Sequence, residues 1–78
     1  MSASEKSVIE ALRTIFENKD LTSPPLEPGT PLDRSLGLDS LDFAELVIRL
    51  EEATGKDPFA DGTDKEVRTI SDLAALYE

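Results

Sequence analysis

GLDSLDFAELVIRLEE, Gly37 to Glu52, passes from loop to helix within four residues, and where it does so decides how the whole chain reads. Asp39 is a good N-cap, Asp42 stands three residues beyond it, and Gly37 allows the turn before it, so a helix is expected from Asp39 or Ser40. It should end near Thr54 and Gly55. Phe43, Leu46, Val47, Leu50 and Ala53 fall at i, i+3, i+4, i+7 and i+10 and make one core-facing stripe. Leu41, Ala44 and Ile48 make a second stripe, which a helix with a single buried face does not need. It is interleaved with Asp42, Glu45 and Glu52, and reads as a surface for contact.

Ser40 is the residue to explain. A serine at a helix start commonly serves as the cap, but Asp39 already supplies one, and the serine opens onto the second apolar stripe in an acidic neighbourhood. A hydroxyl at the first helical position points outward, and a phosphodiester attached to it would sit at the positive end of the helix dipole. Such a serine suits modification by another enzyme.

Composition narrows the classes. A chain of 78 residues is one domain, residues 1–78, and buries only about 60–65% of the surface its unfolded form exposes, too little for a deep enzyme cleft. Seventeen acidic residues against eight basic give a formal charge of −9, which repels nucleic acid and anionic membranes and attracts basic protein patches. No run of 18 apolar residues exists and the N-terminus MSASEKSVIE lacks a basic segment followed by an apolar core, so the chain is read as cytoplasmic. Met1 and the ending at Tyr77 and Glu78 read as a free-standing protein, and an excised domain would read the same.

Outward from the central helix the pattern stays helical. Val8, Ile9, Leu12, Ile15 and Phe16 predict a helix over Ser4 to Asn18, started by Ser2 with Glu5 three residues on or by Ser4. Between Lys19 and Asp39 four prolines and two glycines exclude a regular helix or paired strand, and Leu21, Leu26, Leu32, Leu36 and Leu38 are expected to pin this long loop across the core. A short turn is expected at Asp64 to Arg68 around Val67, and a last helix from Thr69 or Ser71 to Glu78 with Ile70, Leu73, Ala74 and Tyr77 inward. The expectation is all-α, three main helices and one short one, with no repeat.

With no histidine and no cysteine the chain lacks the usual general base, metal ligand and best nucleophile, so no enzyme activity and no catalytic residue are expected. Asp39, Asp42 and Glu45 lie at a solvated helix start with no pocket to push their pKa values apart. The stretch DPFADGTDKEVR imitates a calcium loop at Asp57, Asp61 and Gly62, but Phe59 and Arg68 stand where ligands belong, and no specific metal site is expected.

LGLDSLDFAELVIRLEE, in a short acidic chain with a leucine-pinned loop, resembles the acyl carrier protein family, whose signature is Asp-Ser-Leu at the start of the second of four helices. The resemblance spans the whole length. It implies a small four-helix bundle of the acyl-carrier type, with Ser40 carrying 4'-phosphopantetheine covalently and an acyl group held as a thioester on that cofactor. By the same similarity Asp39 would help a phosphopantetheinyl transferase place its magnesium ion. Asp39, Leu41, Asp42, Glu45, Ile48, Glu51 and Glu52 would form the partner-binding face for acyl-loading and acyl-processing enzymes with basic patches. A monomer that binds neither nucleic acid nor membrane is expected.

Phe43, Arg49, the stretch SPPLEPGTPLDRS and the stretch KDPFADG depart from housekeeping fatty-acid carriers, so fatty-acid and specialised acyl or polyketide biosynthesis both stay open. One alternative is an aminoacyl or peptidyl carrier of nonribosomal type. Another, of a different class, is an acidic helical adaptor in which Ser40 is only a cap and no cofactor is attached.

Overall fold

The start of the chain is fixed by a reciprocal cap: Ser2 Oγ accepts the Glu5 amide at 3.1 Å while Glu5 accepts the Ser2 amide at 2.7 Å. From that cap runs helix α1, Ala3–Asn18, in a computed structural model that describes residues 2–60 and 67–78. A 3-10 turn, Arg34–Leu36, precedes helix α2, Ser40–Thr54, and helix α3, Ile70–Ala75, follows near the end of the chain. Three α-helices are thus present among the described residues. The short turn expected at Asp64 to Arg68 lies mostly outside them, and Val67 and Arg68 are not helical. The last helix is shorter than expected and stops at Ala75, although Tyr77 beyond it is still buried.

Helix α1 is the central element, packed against both α2 and α3. Val8, Ile9, Leu12 and Ile15 meet Leu46 and Leu50 of α2 and Ile70, Leu73, Ala74 and Tyr77 of the C-terminal segment. Burying one such aliphatic side chain contributes about 1.5–3 kcal/mol, so this cluster carries the fold. Phe43 and Val47 are only half-buried, and Ala53, expected inward, is exposed. The core-facing stripe of α2 is therefore narrower than its periodicity suggests; among the described helices only α1 packs against it.

The long loop is a packed crossover, as its leucines imply, with one correction. Leu26 is buried and Leu32, Leu36 and Leu38 pack against the core, but Leu21 is 48% exposed. It follows Asp20, which takes the left-handed conformation at φ 56° and closes α1: the Leu21 amide donates to Phe16 O at 2.9 Å and the Asp20 amide to Glu17 O at 3.0 Å. That closure turns Leu21 away from the core and leaves Lys19 as the C-cap.

Farther along, the loop is stitched to the start of α3. Leu32 donates to Arg68 O at 2.8 Å, Ile70 to Thr30 O at 3.1 Å and Ser71 to Pro28 O at 2.8 Å, flanking a single antiparallel bridge between Pro31 and Thr69. Proline lacks the donor for a ladder, but here the donors come from its neighbours and from the free amides of a helix start.

Candidate functional site

Ser40 is the first residue of α2 and is exposed. The cap belongs to its neighbours. Asp39 Oδ1 accepts the Asp42 amide at 2.9 Å and Asp42 Oδ2 accepts the Asp39 amide at 3.2 Å, closing a box in which Ser40 Oγ has no part. Ser40 makes no side-chain hydrogen bond among the described residues, and the amides of Ser40 and Leu41 find no acceptor there. A nucleophilic or modifiable oxygen thus stands free beside two open donors at the positive end of a 15-residue helix. Gly37, at φ 90°, makes the turn that brings the loop into this start.

Beside Ser40 lies an open groove of about 560 Å3 lined by Leu32, Asp33, Leu38, Asp39, Ser40 and Phe43. Phe43 stands three residues after Ser40, hence on the same side of the helix, and forms an apolar wall of the groove while packing against the core cluster as expected. The spacing could have revealed this. Asp33 at the rim is held as the anion by the Ser35 hydroxyl and then the Ser35 amide, which keep its carboxyl below the ordinary range.

The outer surface of α2 brings together most of the expected contact residues. Leu41 is 79% exposed and Ile48 54%, with Ala44 between them and Glu51 and Glu52 also exposed. Glu45 is paired to Arg49 one turn on, Nε to Oε2 3.2 Å, so the arginine that interrupts the acidic run is tied down by it. Asp42 is the departure. Its side chain is 16% exposed and its Oδ2 takes the Lys19 ammonium at 2.5 Å, so that its charge is paired at the surface. Lys19 and then the Asp39 amide hold its carboxyl below the ordinary value, and Asp42 in return raises the pKa of Lys19. Sequence spacing gave no sign of this pair, which joins residues 23 apart.

No group of three or more carboxylates among the described residues is arranged to hold a metal ion. Of the calcium-like stretch, Asp61 and Gly62 lie outside those residues. No described helix is long and apolar enough to cross a membrane.

Residues 8–77 match the protein family described as "Phosphopantetheine attachment site". The chain is also 34% identical over 75 residues, 95% of its own length and 91% of the relative's, to Acyl carrier protein 2 of Ralstonia nicotianae. No solved structure matches it significantly. The chain belongs to the acyl carrier protein family, whose covalent cofactor is 4'-phosphopantetheine.

Proposed function

We propose that Ser40 is the attachment point of 4'-phosphopantetheine and that the domain carries acyl groups among the enzymes of fatty-acid or specialised acyl assembly. One observation carries this reading: Asp39 and Asp42 complete the cap of α2 by themselves, leaving an exposed hydroxyl at the helix start with no structural task. The residues fit the group. Its phosphodiester would meet the open amides of Ser40 and Leu41, and the chain running from it would have the apolar wall of Leu32, Leu38 and Phe43 alongside. When bound, the cofactor supplies the thiol that the chain lacks and holds the acyl group as a thioester.

The protein's own residues do the rest. Leu41 and Ile48 offer apolar contact, and Glu51 and Glu52, with Asp39 at the helix start, offer charge to basic patches on partners. Such complementarity speeds encounter more than it deepens affinity, which suits a carrier that must leave each partner quickly. Tethering raises the local concentration of the cargo at each site it visits. A cytoplasmic monomer visiting one enzyme at a time is the state this reading requires.

The experiment is loading followed by intact mass. Incubation with coenzyme A, magnesium and a broad-specificity phosphopantetheinyl transferase adds one phosphopantetheine to the wild type and none to Ser40→Ala, whose helicity is unchanged. An adaptor that uses Ser40 only as part of a helix start would take up nothing.

A further inference from the structure

Asp42 gives one oxygen to two donors. Oδ2 accepts the Asp39 amide at 3.2 Å and the Lys19 ammonium at 2.5 Å, while the Asp42 amide returns to Asp39 Oδ1 at 2.9 Å. Lys19 is held where it stands, as the C-cap of α1, because Asp20 and Leu21 close the helix behind it. A cation at the end of one helix therefore clamps the start of another. The clamped turn has Ser40 inside it, and a serine with no side-chain hydrogen bond takes its direction from that backbone alone.

We propose that Lys19 is a positioning residue for the loading of Ser40: it holds the Asp39–Asp42 turn in the attitude that presents the hydroxyl. The inference rests on Ser40 being the attachment point.

Two comparisons within the molecule support it. Helix α3 has the same kind of box, Thr69 with Asp72, and there the Arg68 amide meets Asp72 Oδ2 at 3.1 Å while loop carbonyls cover the first turn. Among the described residues no loop carbonyl meets the start of helix α2, and its box has Lys19 as the outside anchor. The pair is also partly solvated, with side-chain exposures of 34% for Lys19 and 16% for Asp42, and ion pairs of that kind contribute little to stability. Its effect is on geometry.

In loading, Ser40 Oγ forms a bond to phosphorus and the pyrophosphate bond of coenzyme A breaks. Adenosine 3',5'-diphosphate leaves, and the hydroxyl proton passes to a base of the transferase. Lys19 touches none of these atoms, so a misaligned hydroxyl should slow the chemical step and leave recognition of the carrier intact.

The test is the steady-state kinetics of loading by a phosphopantetheinyl transferase, with coenzyme A as donor and this protein as the varied substrate. Lys19→Gln is expected to lower kcat about tenfold, the order a displaced nucleophile shows, with KM for the carrier and the far-ultraviolet spectrum unchanged. Lys19→Arg restores most of the rate. Asp42→Asn reproduces the loss, and the double variant is no slower than either single one because the two act through one contact. Amide hydrogen exchange at Asp39 quickens in Lys19→Gln and not in Lys19→Arg.

A Lys19→Gln protein that loads at the wild-type kcat overturns the inference. So does a loss confined to KM and erased by salt, which is steering rather than positioning, or a double variant in which the losses multiply. If the wild type itself takes up no cofactor, the assignment of Ser40 falls and this inference with it; if the wild type loads and Lys19→Gln loads equally well, only the role of Lys19 falls.

Discussion

The first turns of α2 and α3 carry the same capping box, Asp39 with Asp42 in one and Thr69 with Asp72 in the other. At α3 the first helical residue is Ile70, fully buried, and the amides of Ile70 and Ser71 are taken by Thr30 and Pro28 of the long loop. At α2 the first helical residue is Ser40, exposed, and the corresponding amides meet no protein acceptor among the described residues. One local device is used twice, once to close the fold and once to leave a helix end open. A helix start becomes a site through what the rest of the chain leaves uncovered, since its own sequence signal is the same in both cases.

Substitutions at the two starts should separate along that line. Ile70→Ala is expected to have the largest effect on stability, about 2–5 kcal/mol in urea or thermal unfolding, because it empties a site between α1 and α3. Ser40→Ala should change stability by less than about 0.5 kcal/mol, as an exposed residue without partners does. Equal losses at the two positions would break the comparison.

Thr69→Ala follows, at about 0.5–2 kcal/mol, since it removes the acceptor of the Asp72 amide at 3.1 Å from the turn that anchors the loop. Amide exchange at Ile70 and Ser71 should quicken with it, and an unchanged pattern there would mean that the loop is held independently of the cap.

The outer face of α2 sharpens the contrast further. Glu52→Lys should slow association with a basic partner enzyme several-fold at low salt, with the difference fading as salt is raised. Asp42→Asn should slow association less, because Asp42 is already occupied by Lys19. Stopped-flow association rates at two salt concentrations decide it, and a larger effect at Asp42 than at Glu52 would put Asp42 back among the docking residues.

The smallest expected effect is on pH dependence. The carboxyl of Asp42 is depressed below its ordinary value of 3.8 in the fold, so its contribution is present above that value and lost as pH falls through the folded pKa. Lys19 is raised above 10.5, so its contribution is full below that value and lost as pH rises through the folded pKa. The difference in melting temperature between wild type and Asp42→Asn should therefore be flat between about pH 5 and 9 and shrink beyond either end. A difference that grows in acid would contradict the pairing.

Much of this was legible in the sequence where the governing interactions are local. Asp39, Asp42 and Gly55 mark both ends of α2, and the free stripe of Leu41, Ala44 and Ile48 is exposed as read. The five inward residues of α1 are all buried. What escaped depends on contacts between distant segments. The bridge from Pro31 to Thr69 joins a loop to a helix start, and Lys19 reaches Asp42 across 23 residues, so neither leaves a periodic trace. Composition and spacing place Leu21 and Ala53 inward, but Asp20 turns the chain outward before Leu21, and among the described helices only α1 packs against α2. At the site, Ser40 was visible from its triplet and from the cap beside it. The pairing of Asp42 with Lys19 was not, because its carboxylate looks the same in sequence whether it meets solvent or a lysine.

Tandem mass spectrometry of the loaded protein tests the central claim most directly, because it reads which hydroxyl bears the phosphodiester. The expected result is one phosphopantetheine, lost from a fragment that places it on Ser40 and on no other serine. A protein loaded at Ser35 or Ser71, or one that stays unmodified while a known carrier loads fully beside it, would contradict the account.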